Sequence, residues 1–166
     1  MNRLDRDTSG LTLVAKNPLS GAILSRDMKD RKISRTYTAI VCGRLEETTG
    51  TIDKPIARKE ASCIERCVDY DKGERAVTHY EVIEYNARKD LSLIRLKLET
   101  GRTHQIRVHM TSIDHPLIGD FLYNPDNNIL KRQALHAGEL AFIHPITRNE
   151  MSFNIPLPED MLSVWE

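Results

Sequence analysis

The sequence predicts an α+β fold, with a mixed, largely antiparallel sheet and flanking helices. Segments rich in apolar and β-branched residues outnumber helical patterns along the chain. Several successive strands are joined by connections too short for a crossover helix, which favours antiparallel pairing. The 166 residues, of which 40% are hydrophobic, suffice for one core. We therefore expect residues 1–166 to form a single domain.

The first half of the chain alternates strand and helix patterns. Apolar and partly β-branched residues predict a strand at 11–16. Asn17-Pro18 is typical of a helix N-cap followed by proline at the first helical position, so we expect a helix through Met28. Residues 35–42 give a strong strand pattern, and the polar run at 46–50 predicts a turn after it.

Strand patterns dominate the second half, with one short helix in the middle. Residues 76–85 and 92–98 predict two further strands. Between Arg102 and Ile113 the apolar residues recur at helical spacings, so a helix follows a strand there. The remaining patterns predict two closing strands and the start of a terminal helix, at 134–143, at 151–155 and from Pro158.

The charge balance excludes a protein that binds polyanions simply by being basic overall. The chain has 24 Lys and Arg against 24 Asp and Glu. Residues 1–35 hold eight basic and four acidic side chains, whereas residues 149–166 hold four acids and no Lys or Arg. A bound polyanion must therefore meet a local basic patch.

Membrane and disulfide classes of protein are not expected. No stretch approaches the roughly 18 to 20 apolar residues of a membrane helix, and the charged N-terminus has no secretory apolar core behind it. The odd number of cysteines, Cys42, Cys63 and Cys67, suits a reducing compartment, and their spacing does not suit zinc. We expect a cytoplasmic protein without membrane attachment.

A dense polar cluster, Arg3-Leu4-Asp5-Arg6-Asp7-Thr8-Ser9-Gly10, precedes the first predicted strand. One interpretation is a polar loop whose side chains bond to their own backbone. The other starts from the two arginines that flank Asp5. They would keep this carboxylate ionised, as a nucleophile or a base must be.

A second cluster, Gly101-Arg102-Thr103-His104-Gln105-Ile106-Arg107-Val108-His109, lies at the predicted strand-to-helix turn. Guanidinium groups at such a turn suit an anion such as phosphate. The two histidines are five residues apart and would lie on different helical faces, so metal binding is not expected. Tyr37, on a strand after a basic segment, is either a packing residue or a site residue.

These clusters, taken in order, resemble the motifs of the ribosomal large-subunit pseudouridine synthase family. The three matching segments are residues 3–10, 35–39 and 101–109, and their order and approximate spacing agree. Later segments also resemble that family: His115-Pro-Leu-Ile-Gly-Asp120 with Tyr123, Gln133-Ala-Leu-His136, His144-Pro145 and Pro156-Leu-Pro-Glu-Asp-Met161. The resemblance covers nearly the whole chain and implies the catalytic-domain fold of that family.

The resemblance implies isomerisation of uridine to pseudouridine in structured RNA, either large-subunit ribosomal RNA or transfer RNA. It implies no cofactor and no metal. The family's catalytic aspartate corresponds to Asp5, its active-site tyrosine to Tyr37 and its basic partner to Arg107. Arg107 would orient the Asp5 carboxylate, and Tyr37 would stack on the uracil and assist proton removal from C5.

Further residues would bind the RNA. Ile106 would supply an apolar wall, although ordinary helix packing explains it equally well. Arg3 would fill the gap left when the target base is flipped out of its stack. The expected backbone contacts, each of which has a merely solvated side chain as its alternative, are Arg102, His104, Lys29, Arg31, Lys32 and Arg35.

The chain departs from the family in its N-terminal part. Asn2 stands where the family usually has His, and the usual strands upstream of the aspartate motif and the S4-like RNA-binding module are missing. We therefore expect an N-terminally incomplete domain with an exposed sheet edge, low stability or self-association through that edge. A catalytically impaired RNA-binding fragment and a glycosylase that frees the base are the alternative functions.

Overall fold

A seven-stranded mixed sheet with three helices forms the fold, as the α+β prediction required. The computed structural model describes residues 3–166, so the departure at Asn2 lies outside the described residues. The sheet order is β1-β8-β2-β7-β6-β3, with β9 also paired to β8, and β4 and β5 form a separate hairpin. The elements are β1 (Ser9–Gly10), α1 (Pro18–Lys29), β2 (Ser34–Cys42), β3 (Thr49–Asp53), β4 (Ile56–Arg58), β5 (Arg66–Val68), β6 (Val77–Asn86), β7 (Leu91–Leu98), α2 (Gln105–Thr111), β8 (Leu135–Ile143), β9 (Glu150–Asn154) and α3 (Glu159–Trp165).

The structure confirms most of the elements that local sequence patterns predict. The Asn17 side chain caps α1 by accepting a hydrogen bond from the Ser20 backbone N–H at 2.9 Å, and Pro18 is the first helical residue. The strands predicted at 35–42 and 92–98 agree with β2 and β7 to within one residue. In each case the residues that specify the element lie inside it or directly beside it.

The strand predicted for residues 11–16 is wrong. Only Ser9 and Gly10 join the sheet, in parallel with residues 136–137 of β8. Farther along, the same edge of β8 is paired with β9 over residues 139–143. Since that edge is occupied, the chain leaves the sheet, and Leu11 and Leu13 pack against the apolar cluster beneath α1.

Three short strands lie where the sequence predicts a turn or no element. β3 begins inside the predicted turn at 46–50, and β4 and β5 have three residues each. Ile52 and Ile56 are buried, but Ile52 lies between Thr51 and Asp53 and Ile56 between Pro55 and Ala57, so neither belongs to an alternating apolar pattern. Such short strands depend on the strands with which they pair, and a local sequence pattern does not show those partners.

A β-bulge in β8 changes which of its side chains face each side of the sheet. Thr36 lies opposite Glu139 and Thr38 opposite His136, so three steps along β8 span two along β2. An extra residue of this kind shifts the alternation of side chains between the two faces. In β8, the odd-numbered residues before the bulge and the even-numbered residues after it therefore lie on the same face of the sheet.

This change places α1 and α2 on the same side of the sheet. Leu135, before the bulge, belongs to the core cluster that includes α2, and Leu140, after it, packs with Leu24 of α1. On the opposite side, Met161 of α3 packs in a cluster with Ile40. The sheet thus forms a floor between α1 and the start of α2.

Within residues 3–166 no helix has the length and apolarity needed to cross a bilayer.

We predict that Gly10→Ala destabilises the protein by at least about 2 kcal/mol. Gly10 has φ +120°, and an added Cβ would lie 2.4 Å from the Ala137 carbonyl oxygen of the adjacent strand. The strained backbone and the backbone clash oppose the β1–β8 pairing. Urea unfolding followed by circular dichroism measures the change.

Gly21→Ala is the matched control, because the same methyl group is added inside α1. There the new Cβ would lie 3.8 Å from the Ala15 Cβ, an ordinary contact. We expect a gain of about 0.5–1 kcal/mol from helix propensity. Equal effects of the two substitutions would contradict this account of Gly10.

Candidate active site

A cleft of about 350 Å³ opens on the sheet between α1 and the turn before α2. It combines carboxylate, guanidinium, phenol and apolar groups. Asp5, Tyr37, Arg3, Ile106, Arg102 and Arg35, six of the residues singled out from the sequence, line it together. The other lining residues are Leu4, Thr8, Met28, Leu98, Glu99, Thr100, Gly101, Thr103, Gln105 and Leu135.

Hydrogen bonds and packing hold the loop that carries Asp5. The Thr8 backbone N–H donates to the Asp5 carbonyl oxygen at 3.1 Å, which closes a turn. The buried Gln133 amide donates to the Arg6 carbonyl oxygen at 2.6 Å and to the Thr8 hydroxyl at 3.1 Å. Leu4 packs against the core. The carboxylate of Asp5, 23% exposed, is thus presented from a fixed backbone.

Arg107 lies behind Asp5 and is buried, with 2% of its side chain exposed. Its Nη1 is 3.9 Å from Asp5 Oδ2. Its Nε and Nη2 donate to both oxygens of Asp120, at 2.6 and 2.7 Å. The expected pairing of Arg107 with Asp5 is present as a looser ion pair, while the tight partner of Arg107 is Asp120.

The negative charge of Asp120 balances the positive charge of Arg107 inside the protein. Its side chain is fully buried, and its Oδ1 also accepts the backbone N–H groups of Leu122 and Tyr123 at 3.0 and 3.1 Å. Burial lowers the pKa of Arg107, but the hydrogen bonds and charge of Asp120, with the charge of Asp5, outweigh it and raise that pKa. Arg107 is therefore a permanent cation.

The pairing of Asp120 with Arg107 was not predicted from the sequence. The segment that ends at Asp120 resembles a family motif, but that resemblance assigns Asp120 no role. One physical signal was available: an arginine on the apolar face of a short helix needs a carboxylate partner, since a buried charge without one is costly. Several carboxylates could have filled that role, and only the fold selects among them.

Tyr37 forms part of the floor of the cleft and is 5% exposed. Its ring packs in the core cluster with Ile106, so Ile106 is both a packing residue and a wall of the cleft. Burial raises the pKa of the Tyr37 hydroxyl above its ordinary value, with Arg35 opposing the shift and Asp5 adding to it. The hydroxyl is therefore protonated at neutral pH.

His104 is not among the residues that line the cleft, and its expected contact with RNA stays a prediction. Its Nδ1 is 2.8 Å from the Tyr123 hydroxyl, which also accepts the Arg66 backbone N–H at 2.8 Å. Burial, together with the charge of Arg107, lowers the pKa of His104. His104 and the Tyr123 hydroxyl thus share a hydrogen bond, and the Tyr123 ring lies 4.9 Å from the Arg107 guanidinium carbon. His104 thus supports the packing of Arg107.

Gln105 fixes the wall of the cleft opposite α1. Its amide nitrogen donates to the Val77 carbonyl oxygen at 2.9 Å and to the Thr78 hydroxyl at 3.0 Å. Its amide oxygen accepts the Thr100 hydroxyl at 2.8 Å and the Arg102 backbone N–H at 3.0 Å. This fully bonded side chain ties residues 100–102 to the sheet, and the sequence reasoning gave it no role.

The expected RNA-contacting cations divide into two groups. Arg35 and Arg102 line the cleft. Lys29, Arg31 and Lys32 are exposed beyond its edge. Two of these three already have carboxylate partners: Arg31 Nη1 is 3.1 Å from Glu99 Oε2, and Lys32 Nζ is 3.1 Å from Asp30 Oδ2.

Residues 3–166 contain no group of three or more His, Cys, Asp or Glu side chains placed to hold a metal ion. His109, weighed above as a ligand, is buried and uses both ring nitrogens. Its Nδ1 lies 2.8 Å from the Thr78 hydroxyl and its Nε2 2.9 Å from the Lys54 carbonyl oxygen. Burial lowers its pKa, so it is a neutral structural residue.

Comparisons of sequence support what the cleft suggests. Residues 1–112 match the family model described as RNA pseudouridylate synthase. An uncharacterized RNA pseudouridine synthase of Bacillus subtilis, YjbO, is 50% identical over 97% of this chain and 56% of its own length. Ribosomal large subunit pseudouridine synthase D of Zymomonas mobilis is 43% identical over 97% of this chain and 53% of its own length. The chain spans about half the length of these relatives.

Solved structures share the fold. Human RNA pseudouridylate synthase domain containing 1 superposes with a TM-score of 0.80 and 30% identity, over 93% of this chain and 67% of the human one. Human RNA pseudouridylate synthase domain containing 4 has the same TM-score at 22% identity, over 98% of this chain and 72% of the human one, which supports the fold alone. With the motif order, the cleft and these matches in agreement, the chain belongs to the RNA pseudouridylate synthase family.

Proposed function

We propose that this chain isomerises specific uridines to pseudouridine in structured RNA. Its first expected substrate is large-subunit ribosomal RNA, because several relatives are named for that substrate, and transfer RNA is the second. The observation that carries the proposal is the position of Asp5, in a cleft between the buried cation Arg107 and the ring of Tyr37.

Asp5 acts as the nucleophile or base. The N1–C1′ bond breaks, the uracil turns, a C5–C1′ bond forms, and C5 loses a proton while N1 gains one. Atoms and electrons balance within the nucleotide, so the isomerisation needs no added oxidant or reductant. A carboxylate can attack carbon, stabilise positive charge on the sugar or take a sugar proton. The Arg107 guanidinium, with Nη1 3.9 Å from Asp5 Oδ2, attracts this carboxylate and helps to hold it in the cleft.

Tyr37 and Ile106 hold the detached base. The phenol offers a flat face for stacking, and Ile106 provides an apolar wall against which the uracil can turn. Because its hydroxyl is protonated, Tyr37 acts in hydrogen bonding and proton transfer to and from the base. Both side chains belong to the rigid core, so the pocket keeps its shape as the base reorients.

The cations of the cleft bind the RNA around the flipped base. Arg3 is positioned at the cleft to occupy the space that the uracil leaves in its stack. Arg35 and Arg102 contact the neighbouring backbone, and the exposed Lys29, Arg31 and Lys32 extend that contact. We further propose that copies of the chain associate through the sheet edge formed by β3, which pairs only with β6 among the strands of residues 3–166.

Asp5→Asn is expected to abolish turnover while leaving the fold intact. RNA labelled with tritium at uracil C5 releases label on isomerisation, and the variant should lower the release rate at least about a thousandfold because the amide cannot attack or accept a proton. The matched control is Asp7→Asn, two residues away and outside the lining of the cleft.

Asp7 pairs with Arg6 at the surface, so its variant should release label at close to the original rate. Full release by Asp5→Asn would refute the mechanism. RNA binding without release by the unsubstituted chain would favour the catalytically impaired fragment, and free uracil would favour the glycosylase.

Tyr37→Phe and Tyr37→Leu separate stacking from proton transfer. The phenyl ring should keep KM within about threefold while kcat falls about a hundredfold, because the hydroxyl is lost. Leucine should raise KM as well. Since the pKa of Tyr37 is raised, ionisation of this residue should not reduce kcat between pH 7 and 9. Identical KM and kcat for the two variants would contradict a stacking role.

Asp120→Asn is expected to cost about 3 kcal/mol of stability or more, since it leaves Arg107 buried without its charge partner. Asp160→Asn is the matched control. Asp160 also makes two bonds to one arginine, Arg132, at 2.7 and 2.8 Å, but its side chain is 41% exposed. We expect about 1 kcal/mol there. Urea unfolding measures both, and equal losses would contradict a special role for the buried pair.

A further inference from the structure

A second groove, of about 380 Å³, lies beside the cleft and shares residues 101–103 with it. The β4–β5 hairpin and the segment that follows form its other wall. Four of its lining residues are cationic and one is acidic, in a chain whose formal net charge is zero. These are Arg58, Arg66, Lys72 and Arg102, and the acid is Glu74.

Two of the cations stand directly opposite each other. Arg58 of β4 pairs in register with Arg66 of β5, at the end of a hairpin that has only three residue pairs. Like charges in this position oppose strand pairing. Arg66 Nη1 donates to the carbonyl oxygens of Ile64 and Glu65, both at 3.0 Å, and these neutral acceptors leave the charge of the guanidinium uncompensated. An anion between the two guanidinium groups would relieve the repulsion.

The shared wall carries an ion pair that can open. Arg102 Nη1 contacts the Glu74 carboxylate, and its Nε donates to the Arg75 carbonyl oxygen at 3.1 Å. The two side chains are 38% and 70% exposed. Their backbones are held separately, Arg102 by Gln105 and Glu74 by a two-bond bridge to Ile56. Breaking an exposed ion pair of this kind costs little and leaves the fold unchanged.

We propose that the second groove binds a phosphodiester of the RNA whose uridine occupies the cleft, and that this phosphodiester replaces Glu74 as the partner of Arg102. The inference rests on the proposed function. A phosphodiester can meet the guanidinium fork of Arg102 and the charges of Arg58 and Arg66 together. Glu74 is therefore a competing anion within the protein, and it weakens RNA binding until the RNA displaces it.

The test compares Glu74→Gln with Glu81→Gln, which removes the same charge from another exposed pair, with Arg95 at 3.2 Å. The probe is an unmodified transcript of large-subunit ribosomal RNA labelled with tritium at uracil C5. Filter binding gives affinity, and label release by the unsubstituted chain tests the proposed function separately. Glu74→Gln should tighten binding about fivefold more than Glu81→Gln does. Equal effects of the two variants would overturn the inference.

Two further comparisons test the route through the groove. In an Arg102→Gln background, Glu74→Gln should give no gain in affinity, because the pair it would open is absent. Arg58→Gln should weaken binding about fivefold relative to Arg88→Gln, which removes an exposed arginine outside both cavities. A retained gain, or equal losses, would overturn the inference. Failure of label release with these affinity changes present would overturn the proposed function alone.

Discussion

The buried pair of Arg107 and Asp120 is the constraint on which the site depends. A guanidinium group 2% exposed is tolerated because Asp120 binds Nε and Nη2 in parallel. That bidentate contact fixes the plane of the group and leaves Nη1 directed at Asp5. The ring of Tyr123 against the guanidinium, itself held by His104, limits its movement further. A positive charge is thereby held in place before substrate arrives, which is what electrostatic preorganisation requires.

The bulge in β8 shapes the cleft beside Arg107. Because Leu135 and Leu140 share a face, α1 and α2 rise from the same side of the sheet, and the cleft between them has a floor of strand residues. On the edge of β8, β1 carries the Asp5 loop, and the neighbouring Gln133 bonds to that loop from the segment before β8. Asp5 and Arg107, about a hundred residues apart in sequence, meet because β8 organises both sides of the site.

The parts of the molecule that local signals specify were predictable. Asn17-Pro18 defines the start of α1, and alternation defines β7. Asp5, Tyr37 and Arg107 were predicted as site residues because their motifs resemble a family; the structure brings them together, and their roles stay predictions. The strand expected at 11–16 failed because β9 occupies the edge it would need. The roles of Asp120 and Gln105 depend on their burial and on their hydrogen bonds to distant segments, and the sequence does not show which segments meet.

Under the proposed function, the paired cations of the cleft explain how a chain with no net charge would act on a polyanionic substrate. Several cations near the cleft are paired with acids, as Arg31 is with Glu99 and Arg102 with Glu74. At physiological ionic strength charges are screened beyond about 8 Å, so paired cations attract distant RNA weakly. In the arrangement proposed for Arg102, strong binding begins only when a phosphate comes close enough to replace Glu74. Under the proposed function, attraction is confined to RNA whose shape fits the cleft, so that this fit would select the target before Asp5 acts.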